Sequence, residues 1–358
     1  MPSPLPPSSI PDSSEITSAT RRHLPELTDH QIEAIPITTG GSDRLYWRLR
    51  VDHQDFPSLI LMFYTDARPD NLSFLPATTF LHSHGTAVPG ILGHDPERQL
   101  MWLEDLGEID LWAFRNEPWA VRQPLYQAAL REVTKIHRIP EGAVPADVSS
   151  HLQRGFDDAL YEWEQGYFFD HFLAHYSSLP PDRLAALRQD PELAEMRARL
   201  ASQPRFLVHR DFHSQNIIIR SPGQRAFLID YQGLRAGRPE YDLASLLYDP
   251  YVSLTLAERG ALTDYYLSIR PALDHATSFH QNLGDCACQR LMQALGAYGY
   301  LGVVKGEHAF LAHVAPAVEN LRTVVRENGG PAALDAALAP GAISLSLPHS
   351  DHGSDPKP

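Results

Sequence analysis

Apolar positions between Ile37 and Leu106 recur with the spacing of strands. Leu45 to Val51 alternates, Leu59 to Tyr64 is a short apolar run, and Leu100 to Leu103 is another. Asp70 to His84 interrupts this rhythm with a helical one, and Thr86-Ala87-Val88-Pro89-Gly90-Ile91 supplies the turn chemistry that returns the chain to a sheet. A small, mainly antiparallel sheet with one helix is predicted. Beyond Gly107 the period becomes helical: Gln123 to His137 carries Leu125, Ala128, Ala129 and Val133 at helical spacing, and Phe156 to Tyr176 reads as a long aromatic-rich helix. Residues 1–20 and 328–358 are rich in Pro, Ser, Gly and Ala without a sustained amphipathic period, so both are expected to be disordered tails. These boundaries place a sheet lobe at 21–106 and a larger, mainly helical lobe at 107–327.

Composition narrows the class. A chain of 358 residues with 43% apolar and 21% charged residues is long enough for two lobes and is not disordered throughout. Thirty basic against forty-four acidic residues leave a net charge of −14, which disfavours a nucleic-acid partner. Cys286 and Cys288 are too few and too close for a disulfide framework or a zinc site, so they are expected to be reduced core filler. Met1 to Ile16 lacks a basic start followed by an apolar stretch, and no run of about 18 apolar residues occurs. A cytoplasmic protein with no membrane partner is expected.

The chemistry concentrates in Leu207-Val208-His209-Arg210-Asp211-Phe212-His213-Ser214-Gln215-Asn216-Ile217-Ile218-Ile219 and in Phe227-Leu228-Ile229-Asp230-Tyr231-Gln232-Gly233. Two short apolar strands flank a Ser-Pro-Gly turn at 221–223, a hairpin signal. Closing that hairpin brings Asn216, just before one strand, beside Asp230, just after the other. An amide oxygen and a carboxylate suit magnesium, which fills the rest of its shell with waters and phosphate oxygens. Asp211 lies five residues before Asn216, where its carboxylate can accept a hydroxyl proton. Phosphoryl transfer asks for little more than such positioning and charge neutralisation. Taken singly, each of the three also reads as an ordinary turn or cap residue.

His209-Arg210-Asp211 with Asn216, followed by Ile229-Asp230-Tyr231-Gln232-Gly233, resembles the catalytic and metal loops of the aminoglycoside phosphotransferase and choline kinase group of small-molecule kinases. The resemblance covers about residues 30–325. It implies an α+β, bilobal protein-kinase-like fold with a small antiparallel-sheet lobe and a larger helical lobe, and an enzyme using ATP and Mg²⁺. It further implies that Asp211 is the catalytic base, that Asn216 and Asp230 bind the metal, and that His209 holds the loop backbone. Asp242, in Pro239-Glu240-Tyr241-Asp242-Leu243-Ala244, resembles the buried aspartate that ties this loop to the next helix; as a helix N-cap its role would also be structural. Protein kinases carry D-F-G and A-P-E, whereas this chain has Tyr231-Gln232 after the aspartate and no A-P-E, which favours a small acceptor over a protein.

Gly40-Gly41-Ser42-Asp43-Arg44 falls where the family places its nucleotide-covering hairpin, with the amides of Gly41 and Ser42 able to approach phosphate. Kinases of this fold pair a lysine on the third strand with a glutamate on the following helix. Here Ser58 to Tyr64 has no Lys and Phe74 to Leu81 no Glu, and losing both leaves no orphan charge. Arg44, Arg48 and Arg68 are the candidate replacements. The chain most resembles bacterial kinases that phosphorylate N-acetylmuramate and N-acetylglucosamine at the anomeric hydroxyl in cell-wall recycling. By that likeness Leu103-Glu104-Asp105-Leu106-Gly107 is the hinge, with Glu104 and Leu106 at the adenine edge. Aromatic and acidic side chains on one helical face, Tyr161, Glu164 and Phe168, suit a sugar ring. They suit an aminoglycoside or choline cation as well. A pseudokinase-like binding protein is the remaining alternative, favoured by the missing Lys and Glu.

Overall fold

The computed structural model describes residues 10–37, 44–54, 56–65, 69–220, 224–270, 276–328 and 330–344. Gly41, Ser42, Arg68 and the 221–223 turn lie outside them. The chain divides into two compact units. One holds the described residues up to Gln153 together with Gln215–Leu234; the other holds Arg154–Ser214 and the described residues from Arg235 onward.

The first unit is built on an antiparallel sheet of β1 (Ile32–Ile37), β2 (Leu45–Val51), β3 (Ser58–Phe63), β4 (Ile91–Asp95) and β5 (Leu100–Glu104), in the order β1-β2-β3-β5-β4. The alternation of β2 and the apolar runs of β3 and β5 fall where the sequence puts them. β1 lies before Ile37, where the strand-like pattern was read as beginning, and it carries Pro36, which lacks a ladder N–H. It is tolerated since β1 is an edge: Pro36 lies opposite Trp47 in β2, and no strand on the other side asks for its missing N–H.

Helix Ser13–His23 overturns the expectation of a disordered tail over residues 13–20, while residues 1–9 lie outside the described residues. Asp12 caps it by accepting from the backbone N–H groups of Ser14 and Glu15, while Glu15 Oε2 accepts from the backbone of Asp12, a complete capping box. Ile16, Ala19 and Leu24 bury against Leu49, Leu59, Leu61 and Trp102 of the sheet. Trp102 Nε1 donates to Thr20 Oγ1 at 2.9 Å, so the fully buried indole is not left unpaired. The Pro/Ser-rich composition hid a twelve-to-fifteen capping signal.

The same unit contains a hairpin, β7 (Ile217–Arg220) and β8 (Arg225–Leu228), which follows β6 (Phe206–Val208) of the second unit in the chain. Helix Trp119–His137 packs on β8, so it stays with the sheet unit. The unit boundary therefore does not fall at 106/107, and residues 107–153 and 215–234 belong to the same unit as the five-stranded sheet.

In the second unit β6 pairs with β9 (Arg235–Gly237) and the rest is helical. Helix Ala276–Gly299 is its axis, lying against helices Asp158–Phe168, Pro239–Leu247 and Val314–Asn328. The expected long 156–176 helix is interrupted by a π turn at Phe169–Leu173. Two glycines let helix backbones touch: a Cβ at Gly296 would meet Tyr167, and one at Gly299 would stand 2.0 Å from the carbonyl oxygen of His171. Cys286 and Cys288 are buried free thiols in this helix, as core filler should be. The 328–358 tail is corrected in part. Helix Ala332–Ala337 buries Leu334 and Ala337, and Asp335 accepts from Arg322 and Arg326.

Gly299→Ala is expected to destabilise the protein by about 1–3 kcal/mol or more, because the new methyl meets backbone that cannot rotate away. Gly260→Ala, in helix Leu256–Ile269 with nothing within 4 Å of a new Cβ, should instead be neutral or stabilising by up to about 1 kcal/mol. Thermal melts of the two variants check the contrast; equal melting temperatures would contradict it.

Candidate active site

In the second unit, the chain leaving β6 enters the loop His209–Ser214, which makes one internal backbone bond, His213 N–H to the Asp211 carbonyl at 3.0 Å, and is held at both ends by two carboxylates. Asp242 Oδ2 accepts from the backbone N–H of His209 at 2.6 Å and its Oδ1 from Arg210 at 2.7 Å. Asp249 Oδ2 accepts from the N–H of Ser214 at 2.8 Å, and its Oδ1 from Tyr251 at 2.8 Å. Asp242 lies inside the first turn of helix Pro239–Leu247, not at its N-cap, and both its oxygens serve the loop. His209 is fully buried and its backbone is held by Asp242. Arg210 has φ +78°, a left-handed conformation that a side-chain-bearing residue adopts only when its neighbours enforce it.

Asp211 follows, with its carboxylate about one-quarter exposed. Arg210 Nη1 stands 2.9 Å from its Oδ2 and Arg290 Nη2 3.4 Å from its Oδ1. Burial works against ionisation of Asp211, but the two guanidinium groups outweigh it and hold the carboxyl well below the usual carboxylate range. Burial and the Arg290 charge push His213 down to about 3, so the imidazole is neutral at physiological pH. Burial, then the Arg210 charge, brings Arg235 down to about 10, still protonated near neutrality. The surroundings of Asp211 thus carry three cations. Burial raises Asp249 to about 6 against the pull of its hydrogen bonds to Ser214.

Tyr161, Glu164 and Phe168, expected to meet the acceptor, are corrected. They are 1%, 1% and 0% exposed and belong to the core of the second unit. Phe156 stacks on Tyr161, and Glu164 accepts from the Tyr241 hydroxyl and from Gln289 Nε2, both at 3.1 Å. An aromatic stripe at helical spacing serves packing here, and Glu164 satisfies buried donors. Arg290 and Asp249 were not anticipated from the sequence. A single charged residue within the otherwise uncharged stretch Cys286–Leu295 was the available signal for Arg290.

In the first unit the hairpin has the anticipated register. Ile217 pairs with Leu228, and the N–H of Ile229 donates to the carbonyl of Asn216 at 3.0 Å, so Asn216 and Asp230 are neighbours across the ribbon. Asp230 takes φ +60° and ψ 35°, then enters the turn Tyr231–Gly233. That turn is pinned by the Tyr231 hydroxyl, 2.7 Å from Thr78 Oγ1, and by the Phe74 ring. Arg44, 8% exposed, donates through Nε to Asn71 Oδ1 at 2.7 Å, and its Nη1 lies 3.8 Å from Asp230 Oδ1. Among the described residues no group of three or more His, Cys, Asp or Glu is arranged to hold a metal. One amide and one half-exposed carboxylate fit a hard divalent cation that completes its shell with water and phosphate.

Arg48 does not fit a phosphate role. Its Nε donates to Asp105 Oδ2 at 2.7 Å and it also pairs with Glu108, so its charge is spent on the hinge segment. Glu104 pairs with Arg220 and accepts from the N–H of Gly90, while its own backbone N–H donates to the Gly90 carbonyl. Leu106 lies in an apolar cluster with Ala87, Ile218, Phe227 and Ile229.

A model of the phosphotransferase enzyme family matches residues 33–276. A protein of Caulobacter vibrioides named N-acetylmuramate/N-acetylglucosamine kinase is 28% identical over 233 residues, 64% of this chain and 63% of that protein, so the match spans less than two thirds of the relative. A protein of the same name from Pseudomonas aeruginosa is 25% identical over 321 residues, 86% of this chain and 88% of the relative. The crystal structure of a choline/ethanolamine kinase family protein from Mesorhizobium loti aligns at a TM-score of 0.57 and 16% identity, covering 91% of this chain and 98% of that one. The expected family and α+β kinase-like fold are both found. Among the described residues no helix is long and apolar enough to cross a membrane.

Asp242→Asn replaces one of two acceptor oxygens with an amide that faces a backbone donor. We expect a loss of about 1–3 kcal/mol of stability, read as a lowered melting temperature, because a buried N–H is left unpaired. An unchanged melting temperature would contradict the role assigned to Asp242.

Proposed function

The chain belongs to the phosphotransferase enzyme family, and from that premise we propose that it transfers the γ-phosphate of ATP to a hydroxyl of an N-acetylated amino sugar, at the anomeric oxygen. The observation that carries this reading is the surroundings of Asp211. A carboxylate flanked by Arg210 and Arg290, with Arg235 nearby and a neutral His213, is a poor neighbour for a cationic acceptor. Two like charges about 4 Å apart repel by about 4 kcal/mol at the effective dielectric of a protein surface, before salt screening. Aminoglycosides and choline are cations. N-acetylation removes the charge of an amino sugar, and a lactyl carboxylate adds one of the favoured sign. The names of the Caulobacter and Pseudomonas relatives agree with this acceptor class.

Asp211 orients the acceptor hydroxyl and takes its proton as the oxygen–phosphorus bond forms and the bond to the ADP oxygen breaks. A carboxyl held strongly acidic is a weak base, so its contribution is largely alignment of the attacking oxygen, which a loose transition state rewards. Asn216 and Asp230 are the residues that hold the divalent ion. When bound, that ion neutralises charge on the transferring phosphoryl group. The hinge residues Glu104 and Leu106, with the apolar cluster beneath Leu106, receive the adenine.

The test is an acceptor panel with ATP and Mg²⁺, the product followed by ³¹P NMR. N-acetylglucosamine and N-acetylmuramate should yield an acid-labile sugar 1-phosphate, with kcat/KM for N-acetylglucosamine at least about tenfold above that for glucosamine. Phosphorylation confined to aminoglycosides or choline would overturn the acceptor class. No product with any member would favour a binding protein without catalysis.

A further inference from the structure

Resting on the kinase reading above, we propose that Arg44 is the phosphate-binding cation of this chain and that Asn71 is its positioning residue. A triphosphate needs a fixed positive group from the sheet. Kinases of this fold take it from a strand lysine held by a helix glutamate. Here β3 reads Ser-Leu-Ile-Leu-Met-Phe and helix Phe74–Ser83 carries no acid, so neither member of that pair exists. Arg48 is committed to Asp105 and Glu108.

Arg44 enters from the start of β2. The residue is 8% exposed, and its guanidinium is anchored at one edge, Nε to Asn71 Oδ1 at 2.7 Å. Asn71 is itself 3% exposed, and its amide donates to the carbonyl of Thr65 at 2.7 Å, which fixes the orientation of the oxygen that holds Arg44. The other edge faces the candidate metal residue, with Nη1 3.8 Å from Asp230 Oδ1. The guanidinium is therefore held in one orientation next to the carboxylate where metal and phosphate meet in the proposed site. A lysine–glutamate pair is close to neutral by itself. Asn71 holds Arg44 without adding a negative charge, and Asp230, 52% exposed, stands opposite its other edge. A planar, five-donor fork can hold the anchor and still present N–H groups to a phosphate oxygen, which an ammonium at the same place cannot do as well.

The experiment measures calorimetric affinity of the full chain for ATP and for adenosine, each with Mg²⁺, together with the melting temperature. The variants are Arg44→Met, Arg44→Lys and Asn71→Ala. Arg44→Met keeps the apolar bulk and leaves Asp230 half-exposed, so no buried orphan charge threatens folding. It should weaken ATP by about 10–100-fold while adenosine stays within about twofold. Arg44→Lys should lose less than Arg44→Met, and Asn71→Ala about 3–10-fold for ATP alone.

Unchanged ATP affinity in Arg44→Met, with the wild type binding normally, would overturn this inference and leave the kinase reading intact. So would an equal loss of ATP and adenosine with a falling melting temperature, which is what a structural role predicts. A wild type that binds no ATP with Mg²⁺ would overturn both.

Discussion

The loop that carries the Asp211 carboxylate is held at both its ends by two buried acids of the second unit. Asp242 and Asp249 between them accept the N–H groups of His209, Arg210 and Ser214, the two ends of a six-residue segment. Both acids are essentially unexposed, so their oxygens have no competing water and the hydrogen bonds are short. The left-handed backbone at Arg210 persists because these bonds over-determine it. The position of Asp211 follows from that strap, and so does the turn of Arg210 toward it.

Charge is the second constraint. The chain as a whole is acidic, yet the neighbourhood of Asp211 collects Arg210, Arg235 and Arg290. These keep the carboxyl ionised and make it a poor proton sink, which casts it as an aligning group. They also set a sign preference on what can approach. In the first unit the logic is repeated in miniature, with Arg44 balancing Asp230 and Asn71 taking the place of an acid.

Much of this was legible in the sequence, and the exceptions have physical causes. The Asn216–Asp230 pairing could be read because a hairpin fixes register locally. Glu164 was misassigned because an acid on an aromatic helix face looks the same whether the face meets ligand or core; only Tyr241 and Gln289, distant in sequence, decide it. Arg290 escaped for the converse reason, its partner Asp211 being 79 positions away. Helix Ser13–His23 was hidden by composition although its capping box was in plain view.

The central claim is that Asp211 aligns the acceptor and leaves nucleotide binding to other residues. Steady-state kinetics of Asp211→Asn, whose side chain has nearly the same size and shape, separates the two directly. The account predicts a fall in kcat of about 10²–10⁴-fold with the KM for ATP within a few-fold of the wild type. Wild-type turnover in that variant would contradict it.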